Sequence, residues 1–265
     1  MLSKRITAAL AALVAATVAS LTLAAPAQAA AAVHYVALGD SYSSGVGAGS
    51  YISSSGDCKR STKAYPQLWA NAHSPASYVS VACSGATTTS VINSQLSALK
   101  STTTLVSITV GGNDVGFANI MTTCVLQGQT QCVASVDTAM ANARSSLATK
   151  LGKVYAGIRS KAPNAKVVVL SYPVFYQLGV TCVGLTATSR AKINSGINLV
   201  DDITRTTAAQ YGFTFADVRS IFVGHQLCSG DKWIRALNFA DIGISYHPFA
   251  AGQSGGYYPV MRAAV

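Results

Sequence analysis

Five short apolar runs, separated by longer stretches with helical periodicity, restrict this chain to very few architectures. The runs lie at residues 33–38, 78–82, 105–110, 166–170 and 213–216. Each has the length of a strand, and most are rich in β-branched or aromatic residues. Helical patterns fall at about 65–72, 88–99, 135–161 and 189–211, with a last one, weakened by Gly252, Gly255 and Gly256, from 249 onward. Strands that alternate with helices pair in parallel, because every crossover lays a helix on a face of the sheet. The expected fold is therefore α/β: a three-layer α/β/α sandwich around a five-stranded parallel sheet, flavodoxin-like in its order 2-1-3-4-5. No internal repeat or linker interrupts the pattern, so residues 31–265 are expected to form one domain.

In an open parallel sheet, ligands bind outside the carboxyl ends of the strands. The first run breaks at Gly39 and delivers Asp40 and Ser41 at that edge; the second is followed by Ser84-Gly85-Ala86 and the third by Gly111-Gly112-Asn113-Asp114. The order 2-1-3 sets Ser41 in the middle, flanked by Gly85 and Asn113. A serine there is a candidate nucleophile for acyl transfer. The backbone N–H groups of Ser41 and Gly85 and the side-chain amide of Asn113 are candidate donors to the oxyanion that forms. A base is also needed, and the chain has four histidines. His34 lies at the first strand, away from the functional edge, and His73 in a polar turn. His225 and His247 both remain open on spacing, with His247-Pro248 just ahead of the last helix.

Residues 1–30 read as a secretory signal peptide: Lys4 and Arg5 precede an apolar run from Ile6 to Leu23, and Ala27-Gln28-Ala29 fits a cleavage site. The protein is thus expected to be secreted, extracellular and without a membrane anchor. Removing Lys4 and Arg5 lowers the formal charge from +10 to +8, and every acidic residue is Asp. Such a balance suits an anionic interface. The basic residues are scattered singly, which argues against a nucleic-acid partner. Six cysteines in a secreted chain read as three disulfides. Of the connectivities available we favour pairing between sequence neighbours, Cys58–Cys83, Cys124–Cys132 and Cys182–Cys228, with each bridge in a loop or strand end at the functional edge. No Cys/His cluster suggests a metal, and no cofactor is expected.

With these residues in view, the chain resembles the SGNH, or GDSL-type, hydrolase family. Gly39-Asp40-Ser41-Tyr42 looks like its first block, with Tyr where many members have Leu. Gly85 matches the second block, Gly111-Gly112-Asn113-Asp114 the third and His247-Pro248 the last, in family order. The signal peptide, six cysteines and Ser245-Tyr246-His247-Pro248 most resemble its secreted bacterial lipases and phospholipases A1. The resemblance implies Ser41 as nucleophile, His247 as base, and Ser41, Gly85 and Asn113 as the oxyanion hole. One departure stands out. The last block is often Asp-x-x-His, and here Ile244 occupies the acid position, with Asp241 out of phase. In the branch it resembles, a backbone carbonyl orients the histidine, which here is that of Ser245. A neutral carbonyl fixes the tautomer but stabilises an imidazolium less than a carboxylate does.

Two further motifs are decoys. Gly252-Gln253-Ser254-Gly255-Gly256 matches a nucleophile elbow, yet no strand precedes it and no Asp or His follows. The glycines at 45, 47 and 49 imitate a dinucleotide loop with the third glycine misplaced. The reading is a monomeric, secreted serine ester hydrolase acting on lipid esters of the lipase or phospholipase A type. Carbohydrate or aromatic-ester acyl esterase activity is the alternative within the class, and a non-catalytic secreted binding protein is the alternative outside it.

Overall fold

The computed structural model describes residues 32–265; the signal peptide read at 1–30 lies outside them. Five parallel strands form one sheet: β1 (His34–Gly39), β2 (Ser77–Ser80), β3 (Leu105–Thr109), β4 (Lys166–Leu170) and β5 (Thr214–Ala216). Their order is β2-β1-β3-β4-β5, as expected for a flavodoxin-like sheet. β1, β3 and β4 are central and buried on both faces, which is why they read as near-continuous apolar runs.

The helices, in chain order, begin with a single turn, α1 (Ser41–Ser44), directly after β1. Then come α2 (Tyr65–His73), α3 (residues 88–98), α4 (Phe117–Leu126), α5 (residues 128–161), α6 (Ala187–Gln210) and α7 (residues 250–264). Two features differ from the sequence expectation. Helical structure follows β3 almost at once, in α4, and α5 begins at Gly128 rather than near Ser135. Neither start has a side-chain cap: Gly116 precedes α4 in the left-handed region and Gln127 precedes α5. The usual Ser/Thr/Asp start signal is therefore missing at both.

The second difference concerns the cysteines. The structure forms the three pairs Cys58–Cys83, Cys124–Cys132 and Cys182–Cys228. Cys124 and Cys132, however, lie inside α4 and α5 and are buried, so their bridge joins two helices rather than two loops. The Cys58–Cys83 bridge ties the end of a 3-10 segment (Ser53–Cys58) to the loop after β2, and Cys182–Cys228 ties two loops. No helix among the described residues is long and apolar enough to cross a membrane.

Candidate active site

The site is built where β1 stops. Gly39 has φ +118°, and a Cβ there would lie 2.3 Å from the Thr109 carbonyl oxygen of β3, so only glycine lets the two strand ends come together. Asp40 then caps α1: its carboxylate accepts from the Tyr42 N–H at 3.0 Å, from Thr109 Oγ1 at 3.0 Å and from the Tyr172 hydroxyl. Burial pushes its carboxyl up to about 6, against the pull of those three donors. Asp40 faces the scaffold, and its task is to present Ser41 at the first turn of α1. Gln95 grips the same corner, accepting from the Gly39 N–H at 2.7 Å and donating to the Gly39 carbonyl at 2.9 Å.

His247 arrives from a loop that pairs briefly with residues 233–235. The Arg235 N–H donates to the His247 carbonyl, and the Tyr246 N–H to the Arg235 carbonyl, both at 2.9 Å. Ser41 Oγ lies 2.7 Å from His247 Nε2, and His247 Nδ1 lies 2.9 Å from the Ser245 carbonyl oxygen. A carbonyl only accepts, so Nδ1 carries the proton and Nε2 is free to take one from Ser41. Burial pushes the imidazole down to about 4, so the ring is neutral at neutral pH. Lys59 lowers it further, while the bonds to the Ser245 and Ile244 carbonyls and the charge of Asp241 oppose that shift.

No carboxylate reaches Nδ1. Asp241 is half exposed and pairs with Lys59 at 3.8 Å. Asp217 is held by Arg205, by Arg219 and by the Ser171 hydroxyl. Burial pushes the Asp217 carboxyl up, but the hydrogen bonds and charges of the two arginines outweigh it and hold it below its usual value.

The donor side is equally local. Asn113 Nδ2 gives one proton to the Ala86 carbonyl at 3.0 Å, leaving a second for the groove. Asp114 accepts from the Thr88 N–H at 2.9 Å and from its hydroxyl at 2.6 Å, which locks the loop after β3 to the start of α3. Among the described residues the N–H groups of Ser41 and Gly85 have no partner. Ser41, Gly85, Asn113, Ser245 and His247 all line one groove.

The other histidines are elsewhere. His34 opens β1 beside Ser77, His73 stacks on Trp69, and His225 stacks on Trp233 next to Asp231. Ser254 is exposed on α7 and bonds weakly to its own helix. Gly47 belongs to the glycine run that imitates a dinucleotide loop. A Cβ there would lie 2.9 Å from His247 Cβ and 2.8 Å from the Pro248 carbonyl, so the glycine-rich loop is the wall against which the histidine packs. Its local signal was the dense glycine run itself.

Two apolar spaces meet at Ser41. One is a cavity of about 80 Å³ running between α4, α5 and α6, walled by Phe117, Ile120, Val136, Ala139, Ile193 and Ile197 among others. The second is the groove already described. It leads outward over Met121, Val125 and Leu237 to a rim where Phe239, Leu126 and Ile242 are 78%, 71% and 63% exposed. Among the described residues no group of three or more His, Cys or Asp side chains is placed to hold a metal.

Comparison with known proteins completes the description. The model of the GDSL-like lipase/acylhydrolase family matches residues 37–254. Lipase 1 of Streptomyces coelicolor is 58% identical over 258 residues, which is 96% of this chain and 96% of that protein. The crystal structure of phospholipase A1 from Streptomyces albidoflavus NA297 superposes with a TM-score of 0.87 at 55% identity, covering 89% of this chain and all of the other. The extracellular lipase of Streptomyces rimosus superposes with a TM-score of 0.87 at 53% identity, covering 88% of this chain and all of the other.

Proposed function

Because the chain belongs to the GDSL-like lipase/acylhydrolase family, we propose that it is a secreted lipid ester hydrolase working through an acyl-enzyme on Ser41. The observation that carries this reading is the apolar cavity opening directly at the serine. An acyl chain lying in it brings its carbonyl carbon to Ser41 Oγ. The second, outward groove suits the rest of a two-tailed substrate such as a glycerophospholipid or an acylglycerol.

In the first step Ser41 Oγ adds to the ester carbonyl while its proton passes to His247 Nε2. Negative charge moves to the carbonyl oxygen, which the Ser41 N–H, the Gly85 N–H and the free Asn113 amide proton stabilise. Collapse breaks the bond to the alcohol, whose oxygen takes the proton back from His247. Water then attacks the acyl-enzyme with His247 as base, and the carboxylic acid leaves. Throughout, the Ser245 carbonyl holds the Nδ1 proton, so the machinery is a Ser41–His247 dyad steadied by main chain.

Residues 1–30 support export, and the formal charge of +8 without Lys4 and Arg5 supports approach to anionic lipid surfaces. A substrate panel of phosphatidylcholine vesicles, emulsified triacylglycerol and acetylated xylan tests the substrate class. Both lipids are expected to be cleaved and the xylan ester to lag far behind. Preferred release of acetate from xylan would transfer the protein to the carbohydrate esterases.

A further inference from the structure

The histidine is oriented by a carbonyl only two residues away, and that is possible only because the residue between them is turned. Tyr246 has φ +64°, in the left-handed region that bulky side chains avoid. This conformation swings the Ser245 carbonyl back toward the His247 ring. Left unsupported, the turn would relax and carry the Nδ1 acceptor away. Side-chain packing helps to hold it, since the Tyr246 ring stacks on Phe175 with centroids 5.9 Å apart. The backbone needs a hold of its own, and it comes from beside the nucleophile. The Tyr42 hydroxyl donates to the Tyr246 carbonyl at 2.7 Å.

We propose that Tyr42 is a positioning residue for His247: its hydroxyl pins the Tyr246 carbonyl and so preserves the left-handed turn that aims the Ser245 carbonyl at the imidazole. This rests on the reading of Ser41 and His247 as the catalytic pair. The geometry forms a closed circuit. Ser41 and Tyr42 are consecutive, Tyr246 and His247 are consecutive, and the two short segments are bridged twice, by Ser41 Oγ to His247 Nε2 and by the Tyr42 hydroxyl to the Tyr246 carbonyl. Tyr42 is itself fixed. Gln253 donates to its carbonyl at 3.1 Å, and its ring meets Tyr172 edge-on at 5.0 Å. Burial holds the phenol well above its ordinary value, so it remains a donor across the working range. Tyr42 and Ile244 are also the two positions noted as departures from the usual family blocks. The circuit connects them, because the strut braces a histidine that no acid at 244 orients.

The test compares Tyr42→Phe with Tyr257→Phe, which removes another buried hydroxyl bonded to a backbone carbonyl, that of Ser171 at 2.9 Å. Rates on a soluble short-chain ester, melting temperature and the acid limb of the pH profile are measured for both. Misplacement of a catalytic group by about 1 Å costs up to about 10²-fold, so Tyr42→Phe is expected to lower kcat by about 10- to 100-fold. KM should stay nearly constant, and labelling of Ser41 by a fluorophosphonate should slow in step with kcat. The acid limb should move up toward an ordinary histidine as the loosened turn admits water. The charged groups that act on the ring, Lys59 and Asp241, are unchanged by the substitution. Tyr257→Phe should lose comparable stability and keep its kcat. A Tyr42→Phe enzyme with kcat within twofold of the parent, or a loss that Tyr257→Phe reproduces, overturns the strut. Ser41→Ala run alongside separates the two readings. If it is inactive while Tyr42→Phe is unimpaired, only the strut fails; if it is active, the catalytic pair itself is wrong.

Discussion

Replacing Asp241 by Asn is the sharpest test of a dyad without an acid. Asp241 is the nearest carboxylate upstream of His247 in sequence, and its charge is felt by the imidazole. Were it the orienting acid, its loss would cost about 10⁴ in kcat, because the histidine would adopt the wrong tautomer. The structure gives it a smaller part. Nδ1 is already taken by the Ser245 carbonyl at 2.9 Å, and the Asp241 side chain, 48% exposed, faces Lys59 at 3.8 Å. An exposed pair of this kind is worth about 1 kcal/mol or less. In a domain of this size that is a shift of no more than about 2–4 °C in Tm. Asp241 raises the proton affinity of His247 and Lys59 lowers it, so the Asn variant leaves Lys59 unopposed and the base slightly weaker. We expect kcat to fall by less than tenfold, or about 1.4 kcal/mol of barrier. The assay is kcat on a short-chain nitrophenyl ester near pH 8, with melting followed in parallel. Asp217→Asn is the companion variant, expected to lose stability through Arg205 and Arg219 while keeping its rate. A drop of several thousand-fold in either protein, with melting unchanged, would refute the main-chain mechanism.

Three further outcomes follow from the same geometry. Asn113→Ala should lower kcat by about 10²–10³ and leave KM almost unchanged, the signature of a lost oxyanion donor; a purely raised KM would move Asn113 to substrate recognition. With His247 pushed down from 6.5 to about 4, the acid limb of kcat/KM should lie well below that of an ordinary histidine, so activity persists as pH falls through 6.5. The same shift favours the unfolded chain as pH falls from 6.5 toward 4, whereas Asp40, raised from 3.8 to about 6, favours the folded one as pH falls from 6 toward 3.8. The two oppose each other, and Tm should move less across that window than either group alone would dictate. Finally, Phe239→Ser with Ile242→Ser should slow hydrolysis of phosphatidylcholine vesicles several-fold while the rate on a soluble short-chain ester is kept. Equal losses on both substrates would show that the rim shapes the site rather than meeting a lipid surface.

The sheet was readable because its central strands are buried on both faces and so leave unbroken apolar runs; β4 was placed to the residue. The early starts of α4 and α5 were not, since Gly116 and Gln127 carry no side chain bonded as a cap. Ser41, Gly85 and Asn113 stood out because three strand ends converge on one edge. His247 needed the family pattern, as four lone histidines look alike. The supports behind them were invisible for a different reason. Tyr42 to Tyr246, Gln253 to Tyr42 and Gln95 to Gly39 are single hydrogen bonds between distant segments. Such bonds impose no periodicity and no composition on the chain, so nothing short of the folded molecule records them.

The cavity between α5 and α6 has a consequence for how the protein is held together. The residues that wall it, Val136, Ala139, Ile193 and Ile197, are members of the hydrophobic core or lie at its margin. An acyl chain lying in that cavity, as proposed for the substrate, would pack against the same side chains that make the core. Occupancy and folding are then one equilibrium: a fatty acid at 100 times its Kd would stabilise the native state by about 2.7 kcal/mol. On that reading the product of the reaction would itself raise the melting temperature, which a thermal-shift titration with a fatty acid would read directly.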